Sequence, residues 1–258
     1  MTAAAVLEST MTRVDGRSLD ALRRVEMILG FHRTAEGSVL YRAGGTVVLC
    51  TASVDEKVPP FLDGKNQGWV TAEYQMHPRA NARRQERDGR TRGLSGRTQE
   101  IQRLVGRALR AAVDLGKLGA RTITVDCDVL EADGGTRTAS VTGGFVALAI
   151  ALSKIGARAL RESVAATSVG GLDGLGNALD LCYVEDSRAR VDLNVVATAT
   201  GKIVEVQGTA EGEPVERREI DAMVDLALTG IATLSQMQRD ALTKSGIDWA
   251  NLHTRPGA

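Results

Sequence analysis

A glycine-containing segment at residues 133–140 has the composition of an anion-binding turn. It reads Asp-Gly-Gly-Thr-Arg-Thr-Ala-Ser and lies between an alternating, strand-like run and a long apolar segment. Paired glycines let the backbone approach a ligand closely, and the N–H groups at a helix start attract anions. The guanidinium of Arg137 adds donors that fit phosphate oxygens. We therefore predict a phosphate cradle at Gly135, Thr136 and Arg137, with an ordinary strand-to-helix turn as the alternative.

A second region, between residues 79 and 97, is dense in arginine. Only Glu86 and Asp88 oppose the positive charge locally, and Gly89, Gly93 and Gly96 predict a mobile loop. An arginine-rich loop is suited to contact a nucleic-acid backbone, whereas a solvated face is the alternative. Few aromatic residues lie nearby, so we expect recognition through backbone and shape rather than base stacking. The arginines of this loop are Arg79, Arg83, Arg84, Arg87, Arg90, Arg92 and Arg97.

Two aspartates in the segment 185–192 form a candidate metal site. Asp192 lies in an alternating strand-like run, and Asp186 precedes it by an even number of residues. If this segment is extended, both carboxylates project from one face. A pair of carboxylates on one face suits a Mg²⁺ ion that keeps several waters. The alternative is that both aspartates form ion pairs with Arg188 and Arg190.

The composition limits the function classes further. The chain has 258 residues, 43% hydrophobic and only 3% aromatic, so an aliphatic core is expected. Lys+Arg and Asp+Glu are equal at 32, so a nucleic-acid partner can be argued only from local clusters of charge. Cys50, Cys127 and Cys182 lie far apart, which predicts buried thiols in a reducing, cytoplasmic compartment. We see no membrane segment, metal-spaced histidines, Walker loop or hydrolase nucleophile elbow.

The hydrophobic pattern predicts the elements that must position these residues. We expect disorder at 1–12, with Met11 as a possible second start, a single catalytic domain at 13–245 and a loose tail at 246–258. Mixed strands and helices without regular alternation predict an α+β fold. The predicted elements are a hairpin at 37–54, a helix at 98–115 ended by Gly116, a strand at 121–130, a buried helix at 140–155, strands at 164–169, 179–184, 191–199 and 203–208, and a helix at 216–242.

Several ordered motifs resemble those of the ribonuclease PH family of phosphate-dependent 3′-to-5′ exoribonucleases. The resemblance covers about residues 16–242, and long motifs in the same order make it specific. The motifs are EGSVL at 36–40, GWVTAEY at 68–74, SGRTQEIQR at 95–103, ADGGTRTAS at 132–140, YVEDS at 183–187 and VQGTAEG at 206–212.

The resemblance implies a fold, an activity and an assembly. The fold is of the ribosomal protein S5 domain 2-like type, and the assembly is a homohexameric ring, a trimer of dimers. The implied enzyme is a tRNA nucleotidyltransferase that trims precursor tRNA and other RNA, releases nucleoside diphosphates and can add nucleotides in reverse. Mg²⁺ is the expected cofactor and inorganic phosphate the co-substrate.

The resemblance also implies roles for single residues. Arg97, Gly135, Thr136 and Arg137 bind the attacking phosphate in this interpretation. The catalytic and metal-binding residues are Asp186 and Asp192, and the RNA-binding residues are Arg79, Arg83 and Arg87. Arg188 and Arg190 stand where the family usually has small residues, which leaves their effect open.

Two other functions fit parts of the sequence. A catalytically silent RNA-binding ring subunit of an exosome-like assembly would share the fold but would not need both arginines and both aspartates. A phosphate-binding small-molecule kinase would need a nucleotide-binding glycine loop, which the sequence does not show.

Overall fold

The computed structural model of the chain describes residues 12–90 and 93–253. Two β-sheets and the helices that pack against them make up the described part. The strands are β1 (Val25–Leu29), β2 (Gly37–Ala43), β3 (Thr46–Asp55), β4 (Trp69–Met76), β5 (Thr122–Glu131), β6 (Val164–Leu172), β7 (Gly176–Leu179), β8 (Val191–Thr198) and β9 (Ile203–Ala210). The helices are α1 (Gly96–Ala112), α2 (Leu115–Leu118), α3 (Thr136–Lys154), α4 (Tyr183–Asp186), α5 (Arg217–Lys244) and α6 (Trp249–Leu252).

The strands form two sheets. The first has five strands in the order β1-β2-β3-β5-β4, antiparallel except for the parallel pair β4 and β5. The second has four antiparallel strands in the order β7-β6-β8-β9. Together with the helices, this confirms the predicted α+β class.

Helix α3 is the centre of the structure. It packs against β2 and β3 of the first sheet and against β6 of the second, and its side chains are buried nearly all round. This explains why its sequence is apolar on every face. Gly143 is required for close packing, because a Cβ there would lie 2.9 Å from the Cβ of Tyr41. Helices α1 and α5 cover β4 and β6 respectively.

The predicted hairpin, the strands at β5, β6, β8 and β9, and the buried cysteines are confirmed. The end of the predicted helix 98–115 is wrong. Helix α1 ends at Ala112 because Val113 is extended and the Asp114 carboxylate accepts the N–H groups of Gly116 and Lys117, which starts the separate turn α2.

Two further expectations differ from the structure. Only the first residue of the predicted strand 179–184 is in a strand, because β7 ends at Leu179. Asp180 then adopts a left-handed φ of 54°, and the helical turn α4 follows. The predicted loose tail contains α6, where buried Leu252 accepts a hydrogen bond from the N–H of Leu160 at 2.8 Å. The predicted N-terminal extension and the last five residues lie outside the described residues, apart from exposed Thr12.

Across the described ranges, no helix combines the length and apolar character needed to cross a membrane.

Candidate active site

The predicted phosphate cradle lies at the start of α3. The helix begins at Thr136, four residues before the predicted start, so the first-turn N–H groups belong to the cradle itself. Gly135 is its N-cap and has a φ of 61°. Gly134 has a φ of 75°, and a Cβ there would lie 2.8 Å from the Leu181 carbonyl oxygen. A Cβ on Gly135 would lie 2.9 Å from Nη2 of Arg23, so both glycines are needed for the turn to pack against Arg23 and the segment between β7 and α4.

A buried ion pair helps to fix the backbone of this turn. The Arg23 side chain donates from Nε and Nη2 to the Asp180 carboxylate at 3.1 and 2.7 Å, and both side chains are buried. Nη1 of Arg23 donates to the Asp133 carbonyl oxygen at 2.6 Å. The Thr46 hydroxyl donates to the Gly134 carbonyl oxygen at 2.6 Å. The backbone of the cradle is thus fixed by side chains from β3 and from the segments before β1 and after β7.

Asp186 lies at the end of the helical turn α4, not in an extended segment as predicted. The turn is fixed by the neighbouring Glu185, whose carboxylate accepts two hydrogen bonds from buried Arg13 at 2.9 and 2.7 Å. Burial opposes ionisation of Glu185, but Arg13 prevails and lowers its pKa. The Asp133 carboxylate also accepts the Tyr183 N–H at 3.1 Å, which ties α4 to the cradle.

The cradle, both aspartates and two loop arginines line a single cleft of about 830 Å³. The cleft lies between the two sheets, at the N-terminus of α3 and beside α4 and β8. A neighbouring cavity of about 520 Å³ shares Arg97 with it and is lined by Arg87. Arg79 lines neither space. The predicted site residues that line the larger cleft are Arg83, Arg97, Gly135, Thr136, Arg137, Asp186 and Asp192.

Burial and neighbouring charges shift the pKa of both aspartates. Burial raises the pKa of Asp192, the Asp186 carboxylate raises it further, and Arg137 opposes the shift. Burial also raises the pKa of Asp186, against the charges of Arg137 and Arg97. The Asn194 amide donates to both oxygens of Asp192 at 3.3 and 3.2 Å. The site therefore combines partly desolvated carboxylates with nearby guanidinium groups, an arrangement typical of functional sites.

The arginines of the cleft differ in how they are held. Nη1 of Arg137 donates to Gln207 Oε1 at 2.9 Å and to Glu100 Oε1 at 3.3 Å. Arg97 is exposed on the first turn of α1.

The Thr136 hydroxyl forms a hydrogen bond with buried Tyr74 at 2.9 Å.

Sequence reasoning missed several residues that position the site. These residues are Arg13, Arg23, Tyr74, Glu100, Asp180, Glu185, Asn194 and Gln207. Tyr74, Glu100, Glu185 and Gln207 stand in the motifs that carry the family resemblance, whereas the other four lie outside those motifs.

The donor set of the cleft fits a hydrated divalent cation. Asp186 and Asp192 supply two carboxylates, and Mg²⁺ commonly binds one or two carboxylates and keeps waters for the rest of its shell. Among the described residues, no group of three or more His, Cys, Asp or Glu side chains could hold a metal by itself.

The predicted alternative, in which the site aspartates pair with Arg188 and Arg190, is not what the structure shows. Arg190 pairs with Glu219 of α5 and, at 3.9 Å, with Asp173, while Arg188 is exposed.

The arginine-rich loop leads to the cleft from the end of β4. Its described arginines are exposed, and Arg92 lies outside the described residues. Asp88 fastens the loop to α1, because its carboxylate accepts hydrogen bonds from the Ser95 N–H and hydroxyl and from the Thr98 hydroxyl. These hydrogen bonds, from Thr98 first and then Ser95, lower the pKa of Asp88 to about 2.

Two family models match most of the chain. Residues 21–154 match the RNase PH model described as 3′ exoribonuclease family, domain 1, and residues 162–230 match domain 2 of the same family. The chain belongs to the 3′ exoribonuclease family. The two models divide the predicted single domain between the five-stranded sheet with α1 and α3 and the four-stranded sheet with the start of α5.

Solved structures share this family fold. Rice (Oryza sativa) Rrp46 is 16% identical, with a TM-score of 0.73, and the match covers 89% of this chain and 100% of that one. A chain of the Archaeoglobus fulgidus exosome with RNA bound to the active site is 21% identical, with a TM-score of 0.72 and coverage of 90% and 92%. A chain of an archaeal exosome core is 21% identical, with a TM-score of 0.69 and coverage of 88% and 91%. At these identities the likeness establishes the fold.

Proposed function

We propose that this chain is a phosphorolytic 3′-to-5′ exoribonuclease that trims the 3′ end of RNA, precursor tRNA included. The observation that carries the proposal is the joint lining of one cleft by Arg97, Arg137, the glycine turn and both aspartates. An anion cradle beside two carboxylates is suited to bring one phosphate against another. A silent RNA-binding subunit has no need of that combination.

In the proposed reaction, inorganic phosphate is the nucleophile. Arg97, Arg137 and the N–H groups at the start of α3 hold it, because these cationic and dipolar groups offset its repulsion by the RNA. A phosphate oxygen attacks the phosphorus of the last phosphodiester, and the bond to the O3′ of the preceding nucleotide breaks. The products are a nucleoside diphosphate and an RNA with a free 3′ hydroxyl, one nucleotide shorter. The reverse reaction adds a nucleotide from a diphosphate.

The departing O3′ must take up a proton. Asp192 is the proposed donor, because burial and the neighbouring Asp186 carboxylate raise its pKa and favour its protonated form. In the alternative assignment, both aspartates are ionised and would hold Mg²⁺, in place of proton donation by Asp192. A bound Mg²⁺ would supply charge stabilisation at the scissile phosphate.

The RNA reaches the cleft along the arginine loop in this proposal. Arg83 lines the cleft and Arg87 lines the adjoining cavity, so both lie on a positive path to the site. Arg79 is exposed on the same loop but lines neither space. The exposed guanidinium groups are suited to phosphates of any sequence.

A homohexameric ring is part of the proposal. Strand β1 forms an edge of the first sheet, and Ile28 on it and Phe31 just beyond it are 41% and 51% exposed. An uncovered edge with apolar side chains is typical of a surface that another subunit covers. Light scattering coupled to gel filtration tests this, and a mass equal to one chain would contradict it.

The decisive experiment identifies the released nucleotide. The protein is incubated with a 3′-extended tRNA and Mg²⁺, with and without inorganic phosphate. We expect nucleoside diphosphates only when phosphate is present. Monophosphates without phosphate would indicate a hydrolytic nuclease, and RNA binding without release would favour the silent ring subunit.

Variants of the cradle sharpen this experiment. Arg137→Ala and Arg97→Ala should abolish phosphate-dependent release while RNA binding is retained, because the phosphate loses its cationic partners. Lys65→Ala, which removes an exposed cation outside the cleft, is the control. Full phosphorolysis by Arg137→Ala would contradict the assignment of the cradle.

A further inference from the structure

The guanidinium of Arg137 is shared between two side chains of different charge. Gln207 on β9 accepts from Nη1 at 2.9 Å, and Glu100 on α1 accepts from the same nitrogen at 3.3 Å. Both contacts use one nitrogen, so they leave the rest of the guanidinium fork to other partners. One of the two partners is neutral and the other is an anion.

The neutral partner belongs to a fixed network. Nε2 of Gln207 donates to Glu205 at 2.8 Å, and Glu205 pairs with Arg107 of α1. The side chain of Glu205 is only 13% exposed. Gln207 therefore has one defined orientation, with its carbonyl oxygen toward Arg137. We conclude that Gln207 determines where the guanidinium sits.

The anionic partner is held more weakly. The Glu100 side chain is 49% exposed, and it contacts Arg137 at a longer distance than Gln207 does. A half-exposed ion pair contributes little to stability, so a competing anion can replace it at small cost. A phosphate on Arg137 would also lie close to the Glu100 carboxylate and be repelled by it.

From these contacts we propose that Glu100 is an internal competitor of the anion that binds Arg137, and that Gln207 is the positioning residue that keeps Arg137 directed at the cleft. The inference rests on the proposed phosphate site and deepens it. In this arrangement, the affinity for inorganic phosphate is set by two groups that need not touch the phosphate. Glu100 lowers that affinity and Gln207 raises it.

The direct test measures the equilibrium dissociation constant of inorganic phosphate by titration calorimetry on the full chain. Glu100→Gln should tighten phosphate binding about two- to fivefold, the range expected for an exposed ion pair. Gln207→Leu should weaken it by a similar factor, because Arg137 is then free to turn toward Glu100. The matched control is Glu56→Gln, which removes an exposed carboxylate paired at 3.0 Å with Arg121, away from the cleft. It should leave phosphate binding unchanged.

The double variant separates competition from a loss of structure. If Gln207 acts by keeping Arg137 away from Glu100, Gln207→Leu should have a much smaller effect in the Glu100→Gln background. Additive effects, or a Glu100→Gln variant with unchanged or weaker phosphate binding, would overturn the inference.

Phosphorolysis gives an independent readout. Glu100→Gln should lower KM for phosphate and leave kcat unchanged. The substitution removes a competitor from the free enzyme, so the bound phosphate and the transition state gain equally. A tighter phosphate complex in a protein that releases no diphosphates would uphold the inference and refute the proposed function. Diphosphate release with an unaltered phosphate affinity in Glu100→Gln would do the reverse.

Discussion

In the proposed function, the phosphate cradle and the arginine-rich loop bind the same kind of charge with opposite designs. The cradle turn is fixed by the buried pair of Arg23 and Asp180, with side chains 3% and 8% exposed. The loop presents exposed arginines and is fastened to α1 through Asp88. In the proposed reaction, the cradle must place one phosphate against one phosphorus atom, whereas the loop needs only to supply positive charge along a path.

The difference follows from how each interaction depends on distance. In-line transfer requires the reacting atoms to be held in a narrow geometry, so small displacements lower the rate strongly. Attraction of a polyanion varies slowly with distance and is screened by salt. Buried bracing is therefore expected around the cradle, and an exposed loop is sufficient for RNA.

The largest expected effect concerns the chemistry next to the cradle. Asp192→Asn should lower kcat for diphosphate release about 100-fold or more, because the departing O3′ loses its proton donor. RNA binding, measured by filter retention, should persist. A loss of less than about tenfold would show that Asp192 is not the donor.

The same substitution has a predicted effect on stability. Because the pKa of Asp192 is raised above 3.8 in the folded protein, the folded state keeps this proton longer than the unfolded chain does. The free energy of unfolding therefore falls as the pH rises through the window between 3.8 and the raised pKa. Asp192→Asn removes that cost, so chemical denaturation at neutral pH should show a small gain in stability. A loss of stability would contradict this.

The next largest effect concerns the bracing of the cradle. Asp180→Ala leaves the buried guanidinium of Arg23 without its carboxylate, and should lower the free energy of unfolding by about 3–5 kcal/mol. Denaturant titration measures this. Glu26→Gln, which breaks the exposed pair with Arg42, is the control and should cost less than about 1 kcal/mol. Equal costs would remove the contrast between buried and exposed pairing.

A smaller effect is expected in the loop. The double substitution of Arg83 and Arg87 by Ala should weaken RNA binding about tenfold at moderate salt and make the salt dependence shallower by about 1.4 in log–log slope. Stability should change little, because both side chains are exposed. Binding of single-stranded RNA over a salt series is the measurement. An unchanged slope would mean that these arginines do not contact RNA phosphates.

The smallest effect concerns the link between the two regions. Asp88→Asn weakens the fastening of the loop to the turn that carries Arg97, and should raise the phosphate dissociation constant less than about fivefold. With a pKa of about 2, Asp88 stabilises the fold above pH 3.8 and loses that effect as the pH falls toward 2. The stability difference between wild type and Asp88→Asn should shrink over the same range. A difference that is undiminished at pH 2 would contradict this.

Much of the site was predictable from local sequence. The glycine turn, the arginine run and Asp192 in its alternating strand each carry a local signal. The geometry around Asp186 was not predictable in the same way, because the left-handed Asp180 and the buried pair of Arg13 and Glu185 replace the expected strand by a helical turn. Those partners are more than 150 residues apart in the chain.

The sequence by itself determined the α+β class, the buried helix α3 and the residues able to bind an anion, because periodicity, glycine pairs and side-chain chemistry act over short stretches of chain. Only the tertiary structure decided that Arg137 lies between Gln207 and Glu100, that Arg83 but not Arg79 lines the cleft, and that the tail carries a packed helix. These features depend on contacts between distant segments. The packing of two sheets around α3 fixes such contacts, and no local pattern encodes them.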